Sequence, residues 1–129
     1  MDRRVVFSGA PTERSYGYSR AVVVGNTIYV SGTAPVMPDG ADPPPDAYGQ
    51  ARRCLEIIVG ALAEAGAQPK DVVRTRVYLV RREDYDDVYR AHAEVFGDVR
   101  PANAGVVVAG LLDPRWLVEI EADAVLSSA

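Results

Sequence analysis

Between Ala47 and Ala65, apolar residues recur at alternating spacings of three and four. This series predicts an amphipathic helix, because residues at these spacings share one helix face. Asp46 is placed to cap the start of the helix and Gly66 to end it. A helix with one apolar stripe needs a partner surface, which the rest of the chain has to supply. The stripe consists of Tyr48, Ala51, Leu55, Ile58, Leu62 and Ala65.

Strand patterns flank this helix on both sides. Residues 19–32, SRAVVVGNTIYVSG, place two β-branched runs around Gly25-Asn26, which are residue types suited to a two-residue hairpin turn. Residues 37–46, MPDGADPPPD, predict a surface loop. Residues 72–80 alternate and predict a strand with two different faces. One face holds Val73, Thr75, Val77 and Leu79, and the other holds Arg74, Arg76 and Tyr78.

A second helix and three further strands complete the predicted order. The spacing of Tyr85, Val88, His92 and Val95 predicts a helix over residues 84–96, with Gly97 as its stop. Strands are expected at residues 100–110 and 116–125, and a short first strand is expected near residues 4–8. The order β-β-β-α-β-α-β-β predicts an α+β fold in which both helices pack on one face of a mixed sheet.

The last predicted strand has two contrasting faces, because acidic and apolar residues alternate along it. The acidic set is Glu119, Glu121 and Asp123, and the apolar set is Val118, Ile120, Ala122 and Ala124. We expect the apolar set to meet the helices. The opposite sheet face then carries carboxylates beside arginines, which suits an oligomer interface with cross-strand ion pairs.

The composition limits the class of protein. A chain of 129 residues has the usual size of one domain, so we expect residues 1–129 to form a single domain. With 48% hydrophobic residues, 25% charged residues and a net charge of −4, nothing favours nucleic-acid binding. The apolar runs are too short to cross a membrane, and residues 1–15 contain no apolar signal segment. A single cysteine, Cys54, permits no internal disulfide, so we expect a cytoplasmic protein.

Three stretches bring polar and small residues together with strands. They are YSRAVVVGNTIYVSGTAP (18–35), RPANAGVVVAG (100–110) and VEIEADAV (118–125). The SGTAP after a strand, the RPA that opens a late strand and the closing EIEADAV resemble the RidA/YjgF (Rid) family of reactive-intermediate imine/enamine deaminases. The resemblance covers nearly the whole chain, including both predicted helices.

This resemblance implies a chorismate mutase-like (RidA/YjgF-like) fold, assembled as a homotrimer around a β-barrel core. It also implies ligand clefts between neighbouring subunits and the hydrolysis of an imine or enamine, with no metal and no organic cofactor. Such chemistry needs a carboxylate that handles water, groups that hold polar substrate atoms, and a cation for a substrate carboxylate.

On the matching positions, the resemblance implies that Glu119 is the catalytic, water-handling carboxylate. Tyr18, Ser31 and Gly32 match substrate-binding positions, although Gly17 stands where the family usually has proline before the tyrosine. Each position also has a structural alternative. Glu119 suits an interface ion pair with Arg74 or Arg76, Tyr18 suits core packing, and the Ser31-Gly32 pair suits a strand-ending turn.

The stretch 100–110 departs from the family pattern. Asn103 stands where typical members carry arginine, and an amide cannot form the bidentate ion pair that holds a carboxylate. Gly105 replaces a small thiol and Tyr89 replaces a polar helix residue, so we expect one cleft wall to widen and another to become aromatic. These three residues are substrate-binding candidates. Arg100 and Arg115 are candidate replacements for the lost cation, with surface exposure as the alternative.

The remaining chemistry-bearing side chains favour structural roles. One histidine and one cysteine cannot form a usual zinc set, so no metal site is expected. His92 is interpreted as a partly buried, hydrogen-bonded residue and Cys54 as a packed one.

Three functions therefore stay open. The first is a divergent Rid-family hydrolase that processes a reactive imine or enamine-type small molecule, with Glu119 orienting water. The second is a non-catalytic trimer that binds a small ligand or acts like a chaperone. The third is a pathway-specific biosynthetic enzyme that catalyses a cyclisation or tautomerisation on the same scaffold.

Overall fold

The structure is a computed structural model that describes residues 1–127. Its strands are β1 (Arg3–Val6), β2 (Ala21–Val24), β3 (Thr27–Thr33), β4 (Val72–Leu79), β5 (Ala102–Val107) and β6 (Val118–Val125). They form one six-stranded sheet in the order β1-β2-β3-β6-β4-β5. Among the strands of residues 1–127, β4 and β5 run parallel and the other neighbours are antiparallel. The predicted α+β class and mixed sheet are confirmed.

Two helices, α2 (Ala47–Glu64) and α3 (Tyr85–Phe96), cover one face of this sheet, as predicted. The side chain of Asp46 accepts a hydrogen bond from the Gly49 amide at 2.9 Å, which caps the start of α2. At the other end Gly66 takes a φ of 90°, and the Ala67 amide donates to the Leu62 carbonyl at 2.7 Å. Both predicted ends of α2 are confirmed.

A short helix, α1 (Pro11–Tyr16), was not predicted. Its sequence, PTERSY, has no apolar stripe that would signal a helix. It forms because Pro11 stands at its first turn and Gly17, at a φ of 82°, closes its end.

The covered face of β6 is the predicted one. Val118, Ile120, Ala122 and Ala124 are fully buried and belong to the hydrophobic core. The hairpin is also confirmed, because Val24 lies opposite Thr27 with Gly25-Asn26 as the turn.

In β4 one residue differs from the predicted alternation. Val73 is 48% exposed instead of buried, because the register against β6 shifts between Val72 and Arg74. This bulge gives the buried position to Val72, and the alternation resumes at Thr75.

The strand predicted at residues 100–110 is shorter, since β5 spans only residues 102–107. Arg100 takes a φ of 57°, a left-handed conformation that a strand cannot include. All six residues of β5 are exposed, and the sheet pairs it on one side only. An exposed edge of this kind offers unpaired backbone groups to another chain.

Candidate active site

The first group of site residues lies where β3 meets β6. The pairing of these strands shifts between Val30 and Thr33, so a bulge holds Ser31 and Gly32. A Cβ atom at Gly32 would overlap Oε2 of Glu119 and lie 3.4 Å from its Cδ. Glycine at this position therefore leaves the space that the Glu119 carboxylate occupies.

Glu119 stands on the uncovered face of the sheet and is half-buried. Burial raises the pKa of its carboxyl group, the positive charge of Arg20 opposes that rise, and Glu121 adds to it. Within residues 1–127 no ion pair joins Glu119 to Arg74 or Arg76. A carboxylate without an ion pair, and with a raised pKa, is suited to accept a proton from water.

The predicted arginine partner serves other carboxylates. Nη1 of Arg76 lies 3.4 Å from both Glu121 and Asp123, and the Tyr78 hydroxyl donates to Glu121 at 2.8 Å. That hydrogen bond raises the pKa of Tyr78. The cross-strand ion pairs expected on the uncovered face thus exist within the chain itself. Partly exposed pairs of this kind contribute about 0–1 kcal/mol each.

Tyr18 and Ser31 lie beside this group, and neither is a core residue. The Tyr18 ring is 42% exposed, and its hydroxyl shares a hydrogen bond of 2.7 Å with Thr12. The Ser31 hydroxyl donates to the Ser19 carbonyl at 2.7 Å. Both line a depression of about 560 Å³ on the surface. Tyr18, Ser31 and Gly32 thus adjoin the Glu119 end of the sheet.

The second group of site residues lies on the other side, where β5 meets α3. The Asn103 amide nitrogen donates to Thr75 Oγ1 at 2.9 Å and to the Thr75 carbonyl at 3.3 Å. The Tyr89 hydroxyl donates to Oδ1 of Asn103 at 2.7 Å. Thr75 Oγ1 also lies 2.8 Å from Nε2 of His92. Asn103 is therefore held in one orientation by its own subunit.

His92 and Cys54 have the predicted structural roles. Burial lowers the pKa of His92, which favours the neutral ring, and its Nε2 shares a hydrogen bond with the Thr75 hydroxyl. Cys54 is fully buried, and burial raises the pKa of its thiol, so it is an unreactive core residue.

The two groups do not meet within one chain. Asn103 lies opposite Thr75, which points into the core, whereas Glu119 lies opposite Tyr78 on the uncovered face. Side chains of opposite alternation point to opposite faces of a sheet. The structure therefore brings Glu119 together with Gly32, and Asn103 together with Tyr89, but not one group with the other.

The structure corrects the expected role of Gly105. A Cβ atom at Gly105 would overlap the Tyr89 hydroxyl and lie 3.2 Å from Cζ of that ring. The space left by the missing side chain is filled by Tyr89 rather than opened toward a ligand. The Tyr89 ring therefore packs against Gly105, and the expected widening at Gly105 is not found.

We expect Gly105→Ala to lower the free energy of unfolding by about 1–2 kcal/mol, because the new methyl group displaces Tyr89 and breaks its bond to Asn103. Urea denaturation measures this change. In a Tyr89→Phe background the hydroxyl is gone, so the same substitution has a smaller effect. Equal effects in both backgrounds would show that Tyr89 does not fill this space.

Arg100 and Arg115 are exposed, as the structural alternative predicts. Arg115 forms ion pairs of 2.8 Å with Asp113 and with Asp42, and the Asp113 contact lowers the pKa of that carboxyl to about 2. Its guanidinium is thus bound by one carboxylate from the loop before β6 and one from the loop after β3. Neither arginine lies in either group of site residues.

A cavity of about 750 Å³ lies between the segment before α1, the loop after β3 and helix α2, and Arg20 is one of its lining residues. None of the predicted site residues lines it. We place the candidate site at Glu119 instead, because this half-buried carboxylate has no ion-pair partner among residues 1–127.

Two further observations concern the chemistry of the molecule. Across residues 1–127, no cluster of three or more His, Cys, Asp or Glu side chains is arranged to hold a metal ion. No helix in the same range has the length and apolar character needed to span a bilayer.

Sequence reasoning missed Glu13 and Arg20. Glu13 is 1% exposed and accepts hydrogen bonds from the amide and the hydroxyl of Ser8, while Arg20 is 7% exposed. In the sequence they are two charged residues on either side of Tyr18. Charged residues in such a segment are usually exposed to solvent, so neither was predicted to be buried.

Comparison with known proteins places this chain in a family. The family model described as endoribonuclease L-PSP matches residues 8–126. The chain belongs to the RidA/YjgF family. The crystal structure of Rv2704 from Mycobacterium tuberculosis, a member of the YjgF/YER057c/UK114 family, is 41% identical and has a TM-score of 0.89. The match covers 97% of this chain and 100% of that one.

Two relatives in this family have names that state an activity. The 2-iminobutanoate/2-iminopropanoate deaminase of Escherichia coli is 34% identical over 97% of this chain and 98% of its own length. The 3-aminoacrylate deaminase RutC of Acinetobacter baylyi is 36% identical over 80% of this chain and 82% of its own. Imine and enamine processing is therefore an activity found in the family.

Proposed function

We propose that this chain is a divergent Rid-family hydrolase that converts a reactive imine or enamine into a carbonyl compound and ammonia. The observation that carries the proposal is Glu119, a half-buried carboxylate that packs against Gly32 and forms no ion pair within residues 1–127. Its raised pKa makes it a better base than an ordinary exposed carboxylate. The names of two relatives that act on imino acids and aminoacrylate support the reaction class.

In the proposed step, the Glu119 carboxylate removes a proton from water while the water oxygen attacks the carbon of the C=N bond. The protonated Glu119 returns this proton to the imine nitrogen, so that a neutral carbinolamine forms and the carboxylate is regenerated. Its collapse breaks the C–N bond, releases ammonia and leaves a C=O bond. An enamine first gains a proton at carbon and then follows the same course. No oxidant or reductant is needed, because hydrolysis changes no net oxidation state.

We propose that the ligand cleft lies between subunits of a homotrimer, since Glu119 and Asn103 stand on opposite faces within one chain. The uncovered face also carries exposed apolar side chains, Val5, Tyr29 and Val125, beside its charged residues. A surface of this mixed kind is typical of a protein interface.

The substrate that we propose lacks the carboxylate of a typical imino acid. The Asn103 amide nitrogen donates to two oxygens of Thr75, and the Tyr89 hydroxyl donates to Oδ1 of Asn103. What this group still offers a ligand is lone pairs on Oδ1 and on the Tyr89 oxygen. Acceptor lone pairs favour a ligand N–H or O–H and repel a carboxylate.

We also propose that the chain forms a single domain in a cytoplasmic setting. Residues 1–129 act as one domain, because a single hydrophobic cluster joins strands and both long helices. A cytoplasmic setting suits a chain whose single cysteine is a buried free thiol.

The test is ammonia release from freshly generated imines by the purified protein. We expect acceleration with neutral imines that exceeds the acceleration with 2-iminopropanoate by about tenfold or more, since a missing ion pair is worth about 1.4 kcal/mol or more. Faster turnover of 2-iminopropanoate would contradict the proposed substrate class. The absence of acceleration with every imine would contradict the hydrolase itself.

A second candidate is a trimer that binds a small ligand without turnover. The internal bonding of Asn103 favours it, because the residue at the position of the usual arginine is occupied by its own subunit. A compound that raises the unfolding temperature of the protein and is recovered unchanged after incubation would favour this candidate.

A further inference from the structure

Arg20, which directly precedes β2, is the least expected buried group in the chain. It is 7% exposed, and its Nη2 donates to the Gly32 carbonyl at 3.1 Å. Its Nε lies 3.8 Å from Oε2 of Glu13 and is the one buried side-chain nitrogen or oxygen in residues 1–127 without a hydrogen bond. Burying a guanidinium is costly, so its retention here calls for a compensating role.

Gly32 connects this arginine to Glu119. The guanidinium of Arg20 binds the carbonyl of Gly32, and the carboxylate of Glu119 packs where a side chain at Gly32 would stand. Arg20 thereby holds Gly32, and Gly32 leaves the space that the Glu119 carboxylate occupies. Arg20 is almost fully buried, and the contact that links it to Glu119 runs through Gly32.

We propose that Arg20 is a positioning residue, which fixes Gly32 beside Glu119 and sets a positive charge behind that contact. The catalytic benefit of this arrangement rests on the proposed hydrolysis. The effect of the Arg20 charge on Glu119 can be measured without any turnover. Glu13 sets how strongly Arg20 acts, because its negative charge offsets part of the positive charge of the guanidinium.

Several charged or titratable groups surround Glu119. Glu121 is next on the same face of β6, and Tyr78 of β4 lies directly opposite Glu119 in the sheet. Cys54 of α2 lies behind the sheet and stays protonated because burial raises its pKa. Of the groups that shift the pKa of Glu119, Arg20 lowers it, whereas burial and Glu121 raise it. Removal of Arg20 therefore leaves only contributions that favour the protonated acid.

The experiment is a carbon-13 NMR titration of the Glu119 carboxyl in the intact protein. We expect Arg20→Gln to move its titration to higher pH by about one unit, as loss of a nearby opposite charge does. Glu13→Gln removes the offsetting charge, so it moves the titration to lower pH. Arg20→Lys keeps the charge and restores most of the wild-type value. A role in folding alone does not produce shifts of opposite sign in Arg20→Gln and Glu13→Gln.

The double variant Arg20→Gln/Glu13→Gln protects the test against misfolding, because it leaves no unpaired buried charge. We expect its Glu119 titration also to lie above that of the wild type, since Arg20 is the group that acts on Glu119. An unchanged Glu119 titration in all folded variants would overturn the inference.

The activity arm separates this inference from the proposed function. If imine hydrolysis occurs, its acid-side loss of rate follows the NMR shift in each variant. If the protein hydrolyses no imine but the shifts of opposite sign are seen, the proposed function fails and the role of Arg20 stands.

Discussion

Replacing Glu119 with glutamine is expected to lower the rate of imine hydrolysis by about 10²–10⁴-fold, the usual contribution of a positioned general base. The amide keeps the shape of the carboxylate but cannot accept a proton from water. Ammonia release from the best imine, followed at saturating substrate, measures the loss.

The pH dependence of the hydrolysis rate also tests the role of Glu119. The reaction needs ionised Glu119, so the wild-type rate is full above the pKa of this group and falls as the pH drops through it. Burial raises that pKa above the usual glutamate value, so the loss begins at a higher pH than for an exposed carboxylate. Glu119→Gln has no such limb. Glu121→Gln is the matched control, since Glu121 already bonds Tyr78 and Arg76. Equal losses in both variants would contradict the special role of Glu119.

Replacing Gly32 with alanine is expected to lower activity by about 10²-fold while the fold is retained. The added methyl group overlaps Oε2 of Glu119, which lies at the far end of a flexible side chain. The carboxylate moves and the backbone does not, and a displacement of about 1 Å can cost a hundredfold in rate. The measurement is kcat for the same imine, together with the melting temperature.

Gly60→Ala is the matched control for Gly32→Ala. Gly60 lies inside α2, and a Cβ atom there would contact nothing within 4 Å. We expect full activity and a gain of about 0.5–1 kcal/mol in stability, because alanine favours a helix over glycine. If Gly32→Ala retained full activity, the position of Glu119 beside Gly32 would not matter for catalysis.

Most of the fold was predictable because its signals are local. The stripe of α2, its Asp46 cap and the two faces of β6 follow from spacings that the sequence displays directly. The bulge at Val72–Arg74 was not predictable, since it depends on the pairing between β4 and β6. Helix α1 was missed because its formation depends on a proline start and a glycine end rather than on an apolar stripe.

The candidate site was predictable only as a set of residues. The sequence indicated Glu119, Ser31 and Gly32, but nothing in it showed that a bulge in β3 packs Gly32 against Glu119. The buried Arg20 looked like a solvated charge. Gly105 and Tyr89 are 16 positions apart, so their contact depends on the tertiary structure and not on local sequence.

The arrangement of the two groups explains why the functions of Asn103 and Glu119 depend on each other. Asn103 and Tyr89 are hydrogen-bonded to each other within one subunit, and Glu119 lies on the other face of the sheet. If the cleft forms between subunits, each subunit supplies Glu119 to one cleft and Asn103 to another.

Mixing two inactive variants tests this account most directly. Glu119→Gln removes the first group, and Gly105→Leu disrupts the second by displacing Tyr89. The two proteins are unfolded together, refolded at equal amounts and assayed for ammonia release. In a randomly mixed homotrimer, about a quarter of the clefts receive both intact groups, so about a quarter of the wild-type activity should return. A mixture as inactive as the separate variants, despite proven subunit exchange, would contradict a cleft that uses Glu119 of one subunit and Asn103 of its neighbour.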